Sequence, residues 1–272
     1  MIEKFYIDAW RDQAPWIQLR QVEQDLIISR ALVELYRQEK IRNNYVFRGG
    51  TALNKLILKT AARYSEDIDL VQKNAEPIGE TITVIRNVLD SWLGIPKRKL
   101  TERSAKLIYR YRSEEGVLAK LKIEINITEH YHLYEYVNIP FMMDSQWFQG
   151  RSSITTYDID ELMGSKLRAL YQRRKGRDLF DIWLMLKNNM IDISRVISVF
   201  QEHCKRSNET IKRALFEKSL FEKSLHKDFR EEMSILLNKN MSWDFEIAYR
   251  EVLDKIITCI PGEPWSGDVS FR

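Results

Sequence analysis

Apolar periodicity changes character once along this 272-residue chain, and that change constrains the fold more than any other feature. Up to about residue 155, short alternating segments interleave with helical ones. From about Asp158 almost to Ile260 the pattern is helical throughout. In the first part, Leu19, Val22, Leu26, Val33 and Tyr36 follow helical spacing within residues 15–40, with small Ser29 on the same face and Pro15 suited to a first helical position. Tyr45-Val-Phe47 reads as a strand running into Arg48-Gly49-Gly50, Thr51–Leu58 as a helix, and Asp67–Val71 as a strand. Residues 78–93 read as another helix. Lys106–Arg112 and Val117–Thr128 read as a hairpin joined through Ser113–Gly116. The stretch 131–151, rich in Tyr, Met and Trp, and the tail Pro261–Gly267 are expected to be loops. No Ser/Gly-rich linker divides the two parts, so they are expected to pack together.

Composition narrows the function classes. Charged residues make up 30% and hydrophobic ones 44%, which suits a globular chain rather than a disordered one. No apolar run approaches the roughly 18 residues that cross a bilayer, and acids interrupt the N-terminal segment where a signal peptide would be apolar. Cys204 and Cys259 are the two cysteines, too few for a disulfide framework or a four-thiolate zinc site. A cytoplasmic protein is the expectation. The net charge of +4 is unevenly spread. Seven bases lie between Lys97 and Arg112 against the single acid Glu102, and six between Lys166 and Arg177. Such clusters suit a polyphosphate or nucleic-acid backbone, although a solvated basic surface has the same composition.

The chemistry concentrates in Phe47-Arg-Gly-Gly-Thr51 and Arg63-Tyr-Ser-Glu-Asp-Ile-Asp-Leu70. Paired glycines at a strand-to-helix junction let backbone N–H groups approach an anion closely, and Thr51 adds a hydroxyl. Residues two apart on a strand share a side, so Asp67 and Asp69 converge while Ile68 and Leu70 face the core. Converging carboxylates repel unless a cation intervenes, and Mg²⁺ (or Mn²⁺) suits two carboxylates plus substrate phosphates. Glu124, with Lys122 and Asn126 on one face of its strand, is the candidate third ligand or a general base. An ordinary outward strand position accounts for Glu124 equally well.

These residues resemble the first motif of the AbiEii/AbiGii toxin-type nucleotidyltransferases, within the DNA polymerase β-like superfamily. The carriers are Gly49, Gly50, Thr51, Arg63, Ser65, Glu66, Asp67 and Asp69. Sixteen residues lie between Gly50 and Asp67, longer than is usual in the superfamily but similar to this branch. Asp160 to Asp181 resembles the later Lys and Arg-Asp motifs of the family, carried here by Lys166, Arg177 and Asp178. The resemblance implies an α+β fold, with a nucleotidyltransferase-like mixed β-sheet, flanking helices and an all-helical C-terminal part. It divides the chain into a nucleotidyltransferase-like domain, 1–155, and a helical domain, 156–272, packed against it and completing the active site. It also implies transfer of a nucleoside monophosphate from an NTP with Mg²⁺, in some relatives to the 3′ end of tRNA, and a neighbouring antitoxin protein in a toxin–antitoxin or abortive-infection setting. Asp67, Asp69, Lys166 and Asp178 become catalytic candidates; Gly49, Gly50, Thr51, Arg63, Ser65 and Lys166 become nucleotide-binding candidates. No membrane partner is implied.

Lys166 has separate support. It lies in the apolar stripe Ile159, Leu162, Met163, Leu167 and Leu170, so its ammonium must meet an anion or snorkel to water. A nucleotide phosphate would serve. Asp178 and Asp181 equally suit the start of the next helix, where acids complement the dipole. His130 and His132 lack a third zinc-type ligand nearby, and Walker A, Gly-x-Ser-x-Gly and His-Glu-x-x-His patterns are missing. Tyr109, Tyr111, Tyr131, Tyr134 and Tyr136 could stack on bases. The competing readings are the same chemistry on a protein or small-molecule acceptor, and a nucleotide- or RNA-binding module without turnover.

Overall fold

The computed structural model describes residues 2–58 and 60–267. The chain forms two compact units. One comprises Met1–Tyr131, Glu135–Tyr157 and Leu237–Asn240; the other comprises His132–Tyr134, Asp158–Leu236 and Met241–Arg272.

The first unit is built on a seven-stranded sheet. Its strands are β1 (Tyr45–Arg48), β2 (Asp67–Gln72), β3 (Lys97–Leu100), β4 (Ser104–Arg112), β5 (Leu118–Asn126), β6 (Val137–Asp144) and β7 (Gln149–Thr156), in the order β3-β4-β5-β2-β1-β7-β6. The sheet is mixed, since β2 runs parallel to β5 and β1 to β7 while the other pairs are antiparallel. The expected hairpin is β4–β5. Residues 131–151, expected to be loop, instead supply all of β6 and the start of β7. Pro140 disguises this strand, because it has no N–H for a ladder; it is accommodated because β6 is an edge strand.

The Leu19–Arg37 helix lies almost wholly inside this unit. Of its predicted stripe, Val22, Leu26, Val33 and Tyr36 are fully buried and Leu19 is half-buried, but the polar neighbours Glu23, Gln24 and Asp25 are buried too. Asp25 is tolerated there because Trp10 Nε1 (2.8 Å), Trp16 Nε1 (3.2 Å) and Lys55 Nζ (2.5 Å) all donate to its carboxylate. Lys55 belongs to a helix that begins as Gly49–Ala52 and widens into a π-turn over Leu53–Ile57. The expected 78–93 helix forms as Gly79–Leu93 and buries Ile82, Ile85 and Leu89. Each such buried aliphatic side chain contributes about 1.5–3 kcal/mol of transfer free energy.

The second unit is helical, as the periodicity implies. Its main elements are Ile159–Gln172, Gly176–Lys187, Ile193–Arg206, Arg213–Ser224 and Phe245–Lys255. Asp158, Asp192 and Asp244 cap three of these helices through side-chain oxygens. The run is not uniformly helical. Leu237–Asn240 belong to the first unit, where Asn238 donates through its backbone to Ala62 O (3.0 Å) and through its side chain to Ala61 O (2.8 Å). The Pro261–Gly267 segment carries no regular element, as expected.

Candidate functional site

Strand register assembles the first constellation. Arg48 on β1 opposes Asp69 on β2, Asp69 opposes Glu124 on β5, and Glu124 opposes Lys106 on β4. Asp67 opposes Lys122 in the same way. Opposed residues share a face, so Arg48, Asp67, Asp69, Lys106, Lys122 and Glu124 all lie on one side of the sheet. Ile68, Leu70, Ile123 and Ile125 are buried on the other. Asp67 and Asp69 therefore converge as their spacing requires.

Their electrostatic surroundings differ. Asp67 Oδ2 is paired with Lys122 Nζ at 2.9 Å. Glu124 is held by two ammonium groups, Lys106 at 2.7 Å and Lys122 at 3.1 Å. Burial opposes charge on Glu124, but these two lysines outweigh it and bring its carboxyl below the ordinary range. Lys122 is pushed up, its burial overcome by Asp67 and Glu124. The Asp69 carboxylate makes no hydrogen bond or ion pair among the described residues. Burial first, then the negative charge of Asp67, raises its carboxyl above the ordinary value, with Arg48 and Lys122 pulling the other way.

The glycines provide room for that free carboxylate. Gly49 has φ +84°, and a Cβ there would sit 2.6 Å from Asp69 Oδ2. A Cβ on Gly50 would collide with the Arg63 guanidinium, which is buried and donates to Tyr64 O at 3.0 Å. Thr51 Oγ1 donates to Asp67 O at 2.6 Å and lies 2.8 Å from Ser65 Oγ. Thr51 and Ser65 thus tie the helix start to the acidic strand, and Arg63 backs the glycine turn. Gly49→Ala is expected to destabilise the protein by about 1–2 kcal/mol through the left-handed backbone and to displace Asp69 as well. Urea unfolding and turnover on the same sample check both effects.

The residues present fit a hard divalent cation. Two hard-oxygen carboxylates share a face, and one of them, Asp69, has no hydrogen-bond or ion-pair partner among the described residues and is raised by burial and by its neighbour's charge. Among the described residues no group of three His, Cys, Asp or Glu side chains is arranged to hold a metal. Glu124, the candidate third ligand, is engaged by Lys106 and Lys122 instead. His130 Nδ1 lies 2.8 Å from Gln72 O and His132 Nδ1 2.7 Å from Tyr134 O.

The later motif lies in the second unit. Lys166, 9% exposed, reaches Asp181 Oδ2 at 2.6 Å and Asp178 Oδ1 at 3.3 Å. Arg173 grips Asp178 with two nitrogens, at 2.7 and 2.8 Å. The inward lysine thus meets anions, as its place in the stripe demanded: the two carboxylates at the start of the next helix. Nearby, Lys223 donates to Leu170 O and Tyr171 O at the end of the Ile159–Gln172 helix, and burial pulls its ammonium down to about 8.

Sequence reasoning missed Lys106 and Arg48 as members of the first constellation, and missed that Lys122 neutralises both Asp67 and Glu124. Their signal was alternation alone, and pairing them with the acids needs the register between strands distant in sequence. Two of the tyrosines offered for base stacking are committed elsewhere: Tyr109 is buried and donates to Asp90 Oδ1 at 3.0 Å, and Tyr111 donates to Gln24.

Residues 30–251 match the profile of a family described as "Nucleotidyl transferase AbiEii toxin, Type IV TA system". No curated protein matches the chain. Among solved structures, the chain resembles MenT4, a nucleotidyltransferase toxin from Mycobacterium tuberculosis H37Rv, with TM-score 0.67 and 16% identity over 96% of this chain and 91% of that one. JHP933 from Helicobacter pylori matches with TM-score 0.53 and 19% identity, over 88% of this chain and 91% of that one. At these identities the structural likeness speaks to the fold.

Proposed function

The chain belongs to the AbiEii family of nucleotidyltransferase toxins, and on that premise we propose that it moves a nucleoside monophosphate from an NTP to an RNA end, with the 3′ end of tRNA the first acceptor to try. Family membership makes it an enzyme of nucleotide transfer and a type IV toxin with an antitoxin counterpart. Phage defence by abortive infection, in the cytoplasm where NTP and tRNA meet, is the biological setting proposed here. No helix among the described residues is long and apolar enough to cross a membrane.

One observation carries the chemistry: among the described residues the Asp69 carboxylate has no hydrogen-bond or ion-pair partner, beside Asp67 and against the Gly49 turn. Asp67 and Asp69 would hold Mg²⁺, with Mn²⁺ as the alternative ion; bound there, the ion would neutralise triphosphate charge and polarise the reacting phosphoryl group. Backbone N–H groups at Gly49–Gly50 would orient the phosphates, with Thr51 and Ser65 fixing the turn against β2 and Arg63 backing it. Glu124 is a poor general base, because two lysines stabilise its charged form. As a metal ligand it would have to exchange them.

An RNA acceptor draws support from the sheet face itself. Lys99 opposes Lys106, and Lys97 opposes Ile108, so both β3 lysines share the face of Asp67 and Asp69. Arg110 and Lys120 oppose each other on that same face. Arg98 opposes Leu107 and so belongs to the other face. A row of bases beside an acidic pair suits a polyanion whose end is delivered to the carboxylates. Replacing Lys97 and Lys99 together by alanine is expected to raise KM for RNA and to flatten its salt dependence, by up to about 0.7 logarithmic units for each phosphate no longer neutralised. Arg98→Ala is expected to leave the slope unchanged.

The activity test is incubation with each α-labelled NTP, Mg²⁺, and total cellular RNA or protein. Label on RNA ends, removed by a chelator, is the expected result. Label on protein alone would overturn the RNA acceptor.

A further inference from the structure

Backbone register sets two lysines into the acidic face of the sheet. Lys122 is the partner of Asp67 across β2 and β5, and Lys106 is the partner of Glu124 across β4 and β5. The side chains complete what the register begins. The Lys122 ammonium lies 2.9 Å from Asp67 Oδ2 and 3.1 Å from Glu124 Oε2, so it bridges carboxylates of two neighbouring strands. Lys106 takes the other oxygen of Glu124, at 2.7 Å. This cluster is not sealed in the core. Lys106, Lys122, Asp67 and Glu124 keep 26–29% of their side-chain surface open, so ions and phosphates can reach all four.

Charge decides what such a face can hold. Asp67, Asp69 and Glu124 meet two ammonium groups, while Arg48, which opposes Asp69, is paired with Glu129 at 3.0 Å. One carboxylate charge is left to answer, and the Asp69 carboxylate is the one without an ion-pair partner among the described residues. A single divalent cation at Asp67 and Asp69 more than covers it, and a triphosphate takes the surplus. A two-ion clamp, with its ions about 3.5–4 Å apart, needs a further bridging acid. Glu124 is the acid within reach. To serve, it would have to release both ammonium groups, which would then stand against two dications in a partly enclosed site, where like charges repel more strongly than in water.

We propose that the transfer site holds one divalent cation rather than two, and that Lys122 supplies the second positive charge as a fixed ammonium against the triphosphate. The proposal rests on Asp67 and Asp69 being the cation pair. Two of the three N–H donors of Lys122 go to Asp67 and Glu124, which leaves one for a phosphate oxygen. Held by β5, this charge is preorganised and does not have to be recruited from solution. Glu124 is then a positioning residue, holding Lys122 instead of an ion, and Lys106 secures Glu124 in that role.

Mn²⁺ titration of the full chain, read by EPR with and without an NTP whose α–β bridge is a methylene group, counts the bound ions. Two Mn²⁺ ions at clamp distance couple magnetically and give a spectrum distinct from that of an isolated ion. The parent is expected to show an isolated ion, one per chain, in both states. Lys106→Ala combined with Lys122→Ala frees Glu124 and should admit a second ion, with the coupled spectrum. Lys122→Arg keeps the charge and should keep one ion. Lys122→Ala alone should weaken binding of the NTP analogue by about tenfold or more, an effect that a lysine serving only to steady the sheet would not produce. A coupled spectrum in the parent would overturn the proposal, and that count needs no variant to fold. So would an isolated ion in a double variant that melts like the parent, or unchanged analogue affinity in Lys122→Ala. A parent that binds no Mn²⁺ would remove the cation pair along with the proposal, whereas a coupled spectrum removes the proposal alone. Label on RNA ends decides the transfer reaction separately.

Discussion

Lys166→Met is expected to destabilise the second unit by about 3–5 kcal/mol, the range for removing one partner from a buried ion pair. The ammonium sits between two carboxylates that are almost fully enclosed, Asp178 at 0% exposure and Asp181 at 3%. The Arg173 fork can still answer Asp178. Asp181 loses an ammonium at 2.6 Å. From the sequence alone the opposite follows, because an inward lysine with no visible anion gains by becoming methionine. The structure reverses the sign by supplying the anions from the next helix. A fall in Tm of roughly 10 °C or more is the expected readout for a unit of this size, and a second variant sharpens it. Lys166→Met combined with Asp181→Asn removes the 2.6 Å pair as a whole while Asp178 keeps Arg173, and should recover part of the loss because a buried pair replaced as a whole is often neutral. A single variant that melts like the parent would mean that the carboxylates do not need Lys166, and would return it to the role of a phosphate ligand.

The same contrast shows which features a linear reading captures. Convergence of Asp67 and Asp69 was legible because strand alternation acts over two residues and needs no partner. Gly49 was legible as a turn for a similar reason, and its φ of +84° against Asp69 gives that turn its use. Charge compensation was not legible. Lys122 meets Asp67 through the parallel pairing of β2 with β5, strands that lie on either side of the Gly79–Leu93 helix and two further strands in sequence. Asp25 falls beside the apolar stripe of its helix, three residues after Val22 and four before Ser29, but the wheel does not show the two indoles and the lysine that it collects in the core. The β6 strand was hidden by Pro140, whose meaning depends on whether a strand lies at the sheet edge, and only the topology settles that. Local period thus located the carboxylates, while the cations that tune them came from long-range register.

Asp69→Asn should separate catalysis from stability more cleanly than any other change. The side chains are nearly isosteric, Asp69 has no hydrogen-bonded partner among the described residues to lose, and its charge is opposed by burial and by Asp67. Neutralising it removes that repulsion, so the melt should be unchanged or slightly higher. Turnover should fall by about 10³-fold or more, roughly 4 kcal/mol of transition-state stabilisation, because the carboxylate left free for a cation is gone. Asp67→Asn should lose turnover to a similar degree but also some stability, since it breaks the 2.9 Å pair with Lys122. That lysine keeps Glu124, so the stability loss is that of one partly exposed ion pair, about 1 kcal/mol or less. Mg²⁺ titration of NTP binding, thermal melts and turnover on the two variants check the pattern. Near-normal turnover in Asp69→Asn would remove the free carboxylate from the reaction. A stability loss in that variant as large as in Asp67→Asn would mean that Asp69 holds the fold rather than a cation.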